Sequence, residues 1–579
     1  MKKWLCIALA SAILVAAVPI AAGAEKTPTT DQYPVILLPG LLENLLIRDK
    51  GEKTQEIVWV PVRRMLRVAL KYGPKILYTV YRGTDEQIRA LSETVFGEIG
   101  EGIRMNPDGT SRDNVSPVVS RAEESSYNAL KKSGKLRQVT YGPYMLKEIA
   151  AQIGGDRAFI FQYDWRLGPE EVALQLRDFI RDVKKMTGSE RVNAAGTSFG
   201  STVLLTYLHK YGADGDLHHV LMNSPAYGGS EIFYEMLAAD EVRKVNLENL
   251  TDMILSNYGI ETDLGALLRL LPEGVADKVF YAGVVGFVRE KFNSSISLWG
   301  CCSTKDYEKG KAQFLDPAAN AEMIRKADYM QHEIMDNAGE IMRGAAQYGT
   351  TVYAIANEGA VLATGHGSGD ALVDAAGSTG GVYLEVGEHF PADYAPERTV
   401  CKDAAHDHVS YTGSLDLTNA YLPETTWVFY GQMHGQNYAD TRARALTVKL
   451  LTTDEIADVR SDPAFPQFME TASAVSDVSL TLKNSPSGVL DPAKGAVTAV
   501  VTNHSHRHCI RVREIELDGV PYKLSRTTLF LLPDASVEVM LTPTGEKAEK
   551  YGAMTIRYDE IPNLKLHKSR TQQFRIVGE

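Results

Sequence analysis

Residues 192–201 constrain the fold of this chain more than any other stretch. They read VNAAGTSFGS, a strand of small and apolar residues that breaks at a Gly-x-Ser-x-Gly turn and runs into an apolar helical pattern. A serine on such a strand-to-helix turn sits in a strained backbone conformation with its hydroxyl exposed, and Gly196 and Gly200 let neighbouring backbone approach. The pattern predicts a nucleophile at Ser198, at the N-terminus of a helix whose N–H groups face developing negative charge.

Five letters of this kind are weak evidence by themselves in a chain with 48 glycines, so the surrounding pattern must support them. Segments of strand and helix character alternate on both sides of Ser198. The predicted strands are 33–38, which stops at Pro39-Gly40, 158–163, 192–197, 218–222, 351–357 and 426–430, and the predicted helices are 144–153, about 170–186, the helix after Ser198 and about 439–451. Such alternation predicts a mostly parallel sheet covered by helices on both faces, an α/β fold.

An acid and a base follow Ser198 in the order that α/β-hydrolases use. A serine hydroxyl needs a base to take its proton, and the base needs a third group to orient it. Asp370 lies in the loop after strand 351–357, and His434 lies just after strand 426–430. Because parallel strands end at one edge of the sheet, the order Ser198, Asp370, His434 predicts a catalytic triad there.

Other residues compete for both roles. Glu358 and Asp374 lie in the same loop as Asp370, and Asp407 lies later in the long connection that follows. We prefer Asp370 because Gly369-Asp370 offers an exposed turn. His406 and His408 precede the final strand, whereas His434 follows it, so the base is predicted at His434.

The length of 579 residues predicts several units. Residues 1–24 have a charged start, an apolar run and a small-residue end, which predicts a signal peptide and an exported protein, periplasmic or secreted. We predict a hydrolase domain over 25–455, with largely helical insertions at about 45–140 and a helical cap at about 230–347. A linker at 456–474 and an all-β domain at 475–579, an immunoglobulin-like sandwich, follow from prolines and then period-two alternation. Within 65–70 the apolar cluster is interpreted as core.

Charge and ligand chemistry narrow the remaining possibilities. The net charge of −12 argues against nucleic acid as a partner. His504, His506 and His508 would share one face of a strand, but no second cluster completes a metal site, so neither a metal nor a cofactor is predicted. After export Cys301, Cys302, Cys401 and Cys509 allow three disulfide pairings, and the sequence leaves the choice open.

Several blocks of the chain resemble the lecithin:cholesterol acyltransferase family, which includes lysosomal phospholipase A2. The matching blocks are 34–40 (PVILLPG), 163–167 (YDWRL), the turn at Ser198, 224–229 (SPAYGG), Gly369-Asp370 and His434. The resemblance implies an α/β-hydrolase with a helical cap that acts on lipid esters through a covalent acyl-enzyme. It also implies an oxyanion hole formed by the backbone N–H groups of Leu41 and Phe199.

The expected function is therefore that of an exported serine hydrolase that cleaves carboxylic esters, with lipid esters as the expected substrates. Two alternatives stay open: transfer of the acyl group to an alcohol acceptor, and a catalytically silent binding protein on a hydrolase scaffold. A lipid or other acyl-ester substrate is the expected partner. Peripheral contact with a membrane is compatible with such a substrate.

Overall fold

The computed structural model describes most of the predicted hydrolase domain and parts of the C-terminal region. The described residues are 32–59, 61–139, 143–238, 288, 293–360, 369–384, 388–391, 393–470, 478–483, 496–503, 509–517, 520–524, 529–532, 535–543, 552–563 and 566–576. The predicted signal peptide at 1–24 and the histidines at 504, 506 and 508 lie outside them, as do residues 239–287 and 289–292 of the predicted cap.

Strands and helices alternate through the N-terminal part. Its strands are β1 (Val35–Leu38), β2 (Leu46–Arg48), β3 (Glu56–Trp59), β4 (Val115–Pro117), β5 (Ala158–Ile160), β6 (Val192–Thr197), β7 (Leu217–Asn223), β8 (Thr351–Glu358), β9 (Val382–Tyr383), β10 (Leu415–Asp416), β11 (Thr426–Tyr430) and β12 (Phe468–Glu470). Its α-helices are Val62–Arg82, Asp85–Gly100, Ala122–Ser125, Tyr127–Lys132, Pro143–Ile153, Pro169–Thr187, Phe199–Tyr211, Glu231–Ala238, Ile296–Gly300, Tyr307–Phe314, Ala321–Asp328, Ala338–Gly344, Ala375–Thr379 and Thr441–Thr452. A π-helical segment spans Tyr329–Met335, and short 3₁₀ turns span Glu101–Ile103, Leu136–Gln138, Gly212–Asp214, Ala345–Tyr348 and Asn437–Ala439.

A seven-stranded parallel sheet forms the centre of the fold. Its strand order is β12-β11-β8-β7-β6-β1-β5, and all paired strands run in the same direction. β1 and β6 are buried along their whole length, as strands covered by helices on both faces must be. This confirms the α/β-hydrolase fold class predicted from the alternation of strands and helices.

The strand order reverses at β1, which fixes where a site can form. The chain leaves β1 for β5 on one side and then returns to β6 on the other side, before continuing through β7, β8 and β11. Loops that leave two such strands in opposite directions open a crevice at their carboxyl ends, where ligands bind in sheets of this kind. Ser198 follows β6 directly, and the loop that begins with Pro39 follows β1, so both lie at this crevice.

The helix before β6 illustrates how the sequence sets the boundaries of an element. Helix Pro169–Thr187 has proline at its first position, where the missing N–H costs nothing, and ends at Gly188 in the left-handed conformation with φ 65°. Seven of its side chains are buried at helical spacing: Pro169, Val172, Ala173, Leu176, Phe179, Ile180 and Val183. The predicted bounds of about 170–186 were therefore nearly those observed.

The structure adds strands that the sequence pattern did not predict. The insertion at about 45–140 contains the antiparallel sheet β3-β2-β4 beside its helices, and the expected linker at 456–474 contains β12, which pairs in parallel with β11. These strands have only three or four residues, too few to show an alternating pattern. The domain boundary near residue 475 stays a prediction.

The apolar cluster at 65–70 is not core as a whole, which corrects the interpretation made from sequence. Val68 is buried, but Met65, Leu66 and Leu70 are exposed by 43%, 40% and 77%. Among the side chains of helix Val62–Arg82 whose burial the structure describes, the buried ones form a narrow stripe of Arg64, Val68 and Thr79. Apolar side chains extend beyond that stripe around the helix, and spacing alone did not reveal which of them face solvent.

The described part of the C-terminal region is all-β, as predicted. β13 (Val478–Leu482), β14 (Val497–Asn503), β15 (Cys509–Leu517), β16 (Val520–Leu524), β17 (Leu529–Leu531), β18 (Ser536–Pro543), β19 (Gly552–Asn563) and β20 (Leu566–Ile576) pair only in antiparallel fashion. Alternate residues of several strands are buried: Ala499, Val501, Ile510, Val512, Leu529, Leu531, Val539 and Leu541. This is the period-two pattern of a sheet with one buried face.

Two further findings concern the cysteines and the helices. Cys301, Cys302 and Cys401 are buried free thiols, so the adjacent pair Cys301-Cys302 is not bonded to itself. No helix among the described residues combines the length and the apolar character that crossing a bilayer requires.

Candidate active site

Ser198 sits on the strained turn that the sequence predicted. Its φ of 52° and ψ of −122° place it outside the regions that residues with a side chain favour, between β6 and the helix Phe199–Tyr211. A Cβ at Gly196 would lie 2.4 Å from the Gly200 oxygen, and one at Gly200 would lie 2.6 Å from the Leu38 oxygen. Both positions therefore require glycine, because the turn packs backbone against backbone.

The structure brings Ser198, His434 and Asp370 into one hydrogen-bonded chain. His434 Nε2 lies 2.7 Å from Ser198 Oγ, and His434 Nδ1 lies 2.7 Å from Asp370 Oδ2. Ser198 is partly exposed, whereas His434 is 8% exposed and Asp370 is fully buried. The tautomer with a proton on Nδ1 leaves the Nε2 lone pair facing the serine hydroxyl, which is the arrangement that a general base needs.

Asp370 is held in place by its own loop. Its Oδ1 accepts hydrogen bonds from the backbone N–H groups of Leu372, at 3.2 Å, and Val373, at 2.9 Å. Ala371, directly after Asp370, has a φ of 79°, and the Asp370 main-chain carbonyl accepts a hydrogen bond from the His434 N–H. Two backbone donors thus orient the carboxylate through Oδ1 while Oδ2 faces His434.

The other candidates for the acid and the base have different contacts. Asp374 caps the helix Ala375–Thr379 by accepting from Gly377 N–H, and Asp407 accepts from Val409 N–H. The buried Glu358 side chain accepts hydrogen bonds from Thr412. His406 and His408 lie in a separate cluster with Cys401 and Glu424.

A buried polar network supports the loop that carries His434, and sequence reasoning missed it. Ser224, at a φ of 44° after β7, accepts hydrogen bonds from Asn357, Asn437 and the backbone of Gly435. Asn437 also donates to Asn223, at 2.7 Å, and Asn223 donates to Thr197 at the end of β6. The network links the ends of three strands to the residues directly after His434. In the sequence, the one indication of this network was Asn437, a polar residue three positions after His434.

The YDWRL segment clamps the loop after β1. Tyr163 donates its hydroxyl to the Pro39 carbonyl, Asn44 donates to the Tyr163 carbonyl at 3.0 Å, and Trp165 donates to the Asn44 carbonyl at 3.2 Å. Asp164 and Arg166 form a buried bidentate pair, with 2.9 and 2.6 Å between their atoms. Because this pair is shielded from water and Arg166 also reaches Ser111, the segment fixes the insertion as well as the loop.

Gly40 brings the clamped loop against Ser198. A Cβ on Gly40 would lie 3.0 Å from Ser198 Cβ, so the peptide that leads to Leu41 runs beside the nucleophile. Phe199 is the first residue of its helix, where the N–H has no partner within the helix. These positions suit the two expected oxyanion donors, and that role stays a prediction.

A buried carboxyl group, which the sequence analysis did not single out, lies in the same loop. Glu43 is 7% exposed, and its Oε2 accepts a hydrogen bond from the Gly40 N–H at 2.5 Å. Burial raises the pKa of Glu43 to about 8, although the bond from Gly40 lowers it in part. Glu43 therefore keeps its proton at neutral pH for much of the time and fixes the shape of the loop beside Ser198.

We predict a pH dependence of stability from Glu43. A raised pKa in the folded state stabilises the fold fully below the ordinary value of 4.5, and this contribution is lost as the pH rises through about 8. In that window the stability of the wild type should fall relative to Glu43→Gln by at most about 1.4 kcal/mol per pH unit. Denaturant unfolding of both proteins across this range is the measurement, and parallel pH profiles would contradict the prediction.

Comparisons with known proteins give distant similarities only. No protein-family model matches the chain, and no curated protein matches it. Phospholipase PlaB from Legionella pneumophila is 11% identical over 80% of this chain and 89% of its own, with a TM-score of 0.27. Bacillus licheniformis lipase BlEst2 in its propeptide form is 9% identical over 96% and 95%, with a TM-score of 0.26.

A third solved structure covers a small part of the chain. The periplasmic chaperone SfaE is 12% identical over 18% of this chain, with a TM-score of 0.14, and the match spans 57% of the chaperone's length. Similarity at these levels indicates nothing about activity. The resemblance to the lecithin:cholesterol acyltransferase family rests on the quoted blocks alone and stays a prediction.

Proposed function

We propose that this protein is a serine hydrolase that cleaves carboxylic esters through an acyl-enzyme. The single observation that carries the proposal is the hydrogen-bonded chain from Ser198 Oγ through His434 to the buried Asp370, with 2.7 Å at each step. The strained turn at Ser198 adds to it, because a positive φ on a residue with a side chain persists only where the surrounding structure enforces it.

The proposed reaction has two steps. Ser198 Oγ attacks the ester carbonyl while His434 Nε2 takes the hydroxyl proton, and His434 then gives that proton to the departing alkoxide. Asp370 stabilises the cationic histidine between these events. The backbone N–H groups of Leu41 and Phe199 hold the oxyanion. Water, activated by His434 in the same way, then releases the carboxylic acid and restores the free serine.

Lipid esters are the substrates we infer. Leu41 and Leu42 follow Gly40 directly and are partly buried against the apolar core, so an apolar wall begins beside Ser198. Trp59 holds this turn by donating its indole N–H to the Leu42 carbonyl at 2.7 Å. An acyl chain gains free energy on such a wall in proportion to the apolar area that leaves water. The predicted signal peptide makes an exported location part of this proposal.

Contact with a lipid surface is part of the same proposal. On helix Val62–Arg82 the side chains of Leu66, Leu70 and Tyr78 are exposed on one side, and Arg63 and Arg67 lie on that side too. A helix that presents apolar and basic side chains together binds at the interface of anionic lipids. The helix therefore offers a surface for binding to a membrane that contains the lipid substrate.

We expect Leu70→Glu to weaken binding to vesicles of phosphatidylcholine and phosphatidylglycerol about tenfold, because it replaces an apolar contact by a repelled charge. Vesicle co-sedimentation measures this. Leu174→Glu is the matched control, since Leu174 is also exposed but lies on helix Pro169–Thr187. Equal loss of binding in both variants, or in neither, would contradict the proposed surface.

Turnover of p-nitrophenyl esters of graded acyl length tests the proposed activity. We expect the rate of hydrolysis to increase with acyl chain length, because a longer chain buries more apolar area against the wall beside Ser198. We also expect esters to be cleaved faster than matched anilides. Product analysis with added long-chain alcohols distinguishes water from an alcohol as acceptor. A well-folded protein that turns over none of these esters would refute the proposal and favour a binding protein.

A further inference from the structure

A second cluster of chemically versatile side chains lies in the connection that precedes β11. It consists of Cys401, His406, His408 and Glu424, each of which offers one ligand atom, and these atoms all lie within 4.8 Å of one another. Glu424 Oε1 is 3.0 Å from Cys401 Sγ, 2.9 Å from His406 Nδ1 and 3.4 Å from His408 Nε2. A sulfur, two imidazole nitrogens and a carboxylate oxygen therefore converge on one small volume.

The cluster lies at the opposite edge of the central sheet from Ser198. Glu424 comes two residues before β11, whereas His434 comes four residues after it. A five-residue strand is about 16 Å long, so the cluster is remote from the hydrogen-bonded chain at Ser198. It has no part in the proposed ester cleavage.

Neighbouring side chains orient both histidines toward the cluster. His408 Nδ1 lies 2.8 Å from Gln467 Oε1, and the Gln467 amide nitrogen donates to the carbonyls of Pro423 and Thr426. The amide oxygen must therefore accept, which makes His408 Nδ1 the donor and turns Nε2 toward the cluster. His406 is arranged in a similar way, with Nε2 3.3 Å from Asp403 Oδ2 and Nδ1 facing inward.

Such outer partners are the ones that metal-bound histidines use, since the second ring nitrogen of a ligating histidine usually donates to a carboxylate or carbonyl oxygen. His408 Nε2 and Glu424 Oε1 face each other at 3.4 Å, an arrangement in which both atoms can bind one cation. Two of the four residues are buried, since Cys401 is 5% exposed and the His408 side chain is 1% exposed, whereas His406 and Glu424 are partly exposed. The cluster thus has the donors and the orientation of a metal site that lies partly below the surface.

We propose that Cys401, His406, His408 and Glu424 bind one Zn²⁺ ion in a closed four-coordinate site. Zn²⁺ is the metal that accepts sulfur, imidazole and carboxylate ligands together in a tetrahedron. On binding, the Cys401 thiol loses its proton to solvent, and the thiolate and the Glu424 carboxylate balance the two charges of the ion. With four protein ligands the site has no open position, so the ion is structural.

The proposed ion has a defined structural task. Three ligands lie within the connection between β9 and β11, and Glu424 lies where that connection joins the central sheet. The ion would therefore fasten the connection to the sheet edge. Gln467, the residue directly before β12, also holds this connection by donating to the Pro423 carbonyl. We expect its removal to loosen this edge and lower the thermal unfolding midpoint while the distant Ser198 geometry persists.

Two other groups of potential ligands among the described residues fit a metal less well. His218, His219 and Asp454 form one group, and Glu308, Asp328 and His332 form the other. Neither contains sulfur, and each has only three members, of which at least one is exposed. His332 is therefore a suitable control position, because it is an exposed histidine in a group of the same kind that we do not expect to bind Zn²⁺ tightly.

Metal analysis and cobalt spectroscopy test the site on the full-length protein. The purified wild type should retain about one equivalent of Zn²⁺ through dialysis. After chelation, Co²⁺ should give the sulfur-to-cobalt charge-transfer band and the intense visible bands of tetrahedral Co²⁺, and Zn²⁺ should displace both. Cys401→Ser should lose the charge-transfer band, and His408→Gln, which removes a direct ligand, should weaken Zn²⁺ binding by more than the roughly 10- to 100-fold that loss of an outer partner costs. His332→Gln should bind as the wild type does.

The wild type alone keeps the proposal falsifiable if a ligand variant does not fold. Chelation should lower its unfolding midpoint, and Zn²⁺ should restore the midpoint whereas Mg²⁺ and Ca²⁺ should not. The proposal is overturned if folded wild type takes up no Zn²⁺, if bound Co²⁺ gives no charge-transfer band, or if folded Cys401→Ser binds Zn²⁺ as tightly as the wild type.

Discussion

Replacing Ser198 with alanine is expected to lower kcat for ester hydrolysis by about 10⁶-fold, the loss that removal of a triad serine produces in a comparable enzyme. The variant lacks the hydroxyl that lies 2.7 Å from His434 Nε2, which the positive φ at this position aims at the base. The rate that remains should come from substrate binding and the oxyanion donors. Initial rates with the best p-nitrophenyl ester measure the effect.

Labelling with a fluorophosphonate probe gives a second readout that does not depend on the substrate. The wild type should be labelled and Ser198→Ala should not. Ser201→Ala is the matched control, because this serine lies on the same helix but donates its buried hydroxyl to the Gly196 carbonyl at 2.6 Å. Labelling of Ser198→Ala at the rate of the wild type would place the nucleophile elsewhere and refute the proposed function.

Replacing His434 with alanine should reduce kcat by a similar factor of about 10⁶, because serine without its base is a poor nucleophile. The buried His434 is the described side chain that contacts both Ser198 Oγ and Asp370 Oδ2. Ser198 and His434 act as one unit, so the double variant should be no slower than either single variant. Steady-state rates for the three variants, with circular dichroism to verify folding, test this.

His218→Gln provides the control for the histidine prediction. His218 lies at the start of β7, at the opposite edge of the sheet from the triad, and pairs with Asp454 at 2.9 Å. Its replacement should leave kcat within a few-fold of the wild type. Multiplicative losses in the double variant Ser198→Ala/His434→Ala would mean that the two residues act independently, which contradicts a shared proton transfer.

The sequence carried enough information to predict the main elements and the residues of the proposed triad. The predicted strands lie within two or three residues of the observed β1, β5, β6, β7, β8 and β11, because continuous apolar runs bounded by turn residues mark buried strands even where these are short. Asp370 and His434 were found because parallel strands deliver their following loops to one edge. The prediction thus used only local patterns and one rule about sheets.

Features that depend on distant partners could not be predicted in this way. β12 has three residues and is a strand only because β11 lies beside it. Glu43 looked like an ordinary loop residue, and its raised pKa arises from burial beneath other segments. His406 and His408 were weighed only as rival bases, since Glu424, which meets them, follows after 15 further residues.

The sequence by itself determined the type and order of β1, β5, β6, β7, β8, β11 and the helices that alternate with them, because period and turn chemistry are local properties of the chain. Only the tertiary structure decided which side chains meet. Ser198 and His434 are 236 positions apart, yet their atoms lie 2.7 Å from each other. That contact results from the crossover at β1 and from the hydrogen bonds that hold the loops after β6 and β11. Packing, and not spacing along the chain, turns a serine, a histidine and an aspartate into one site.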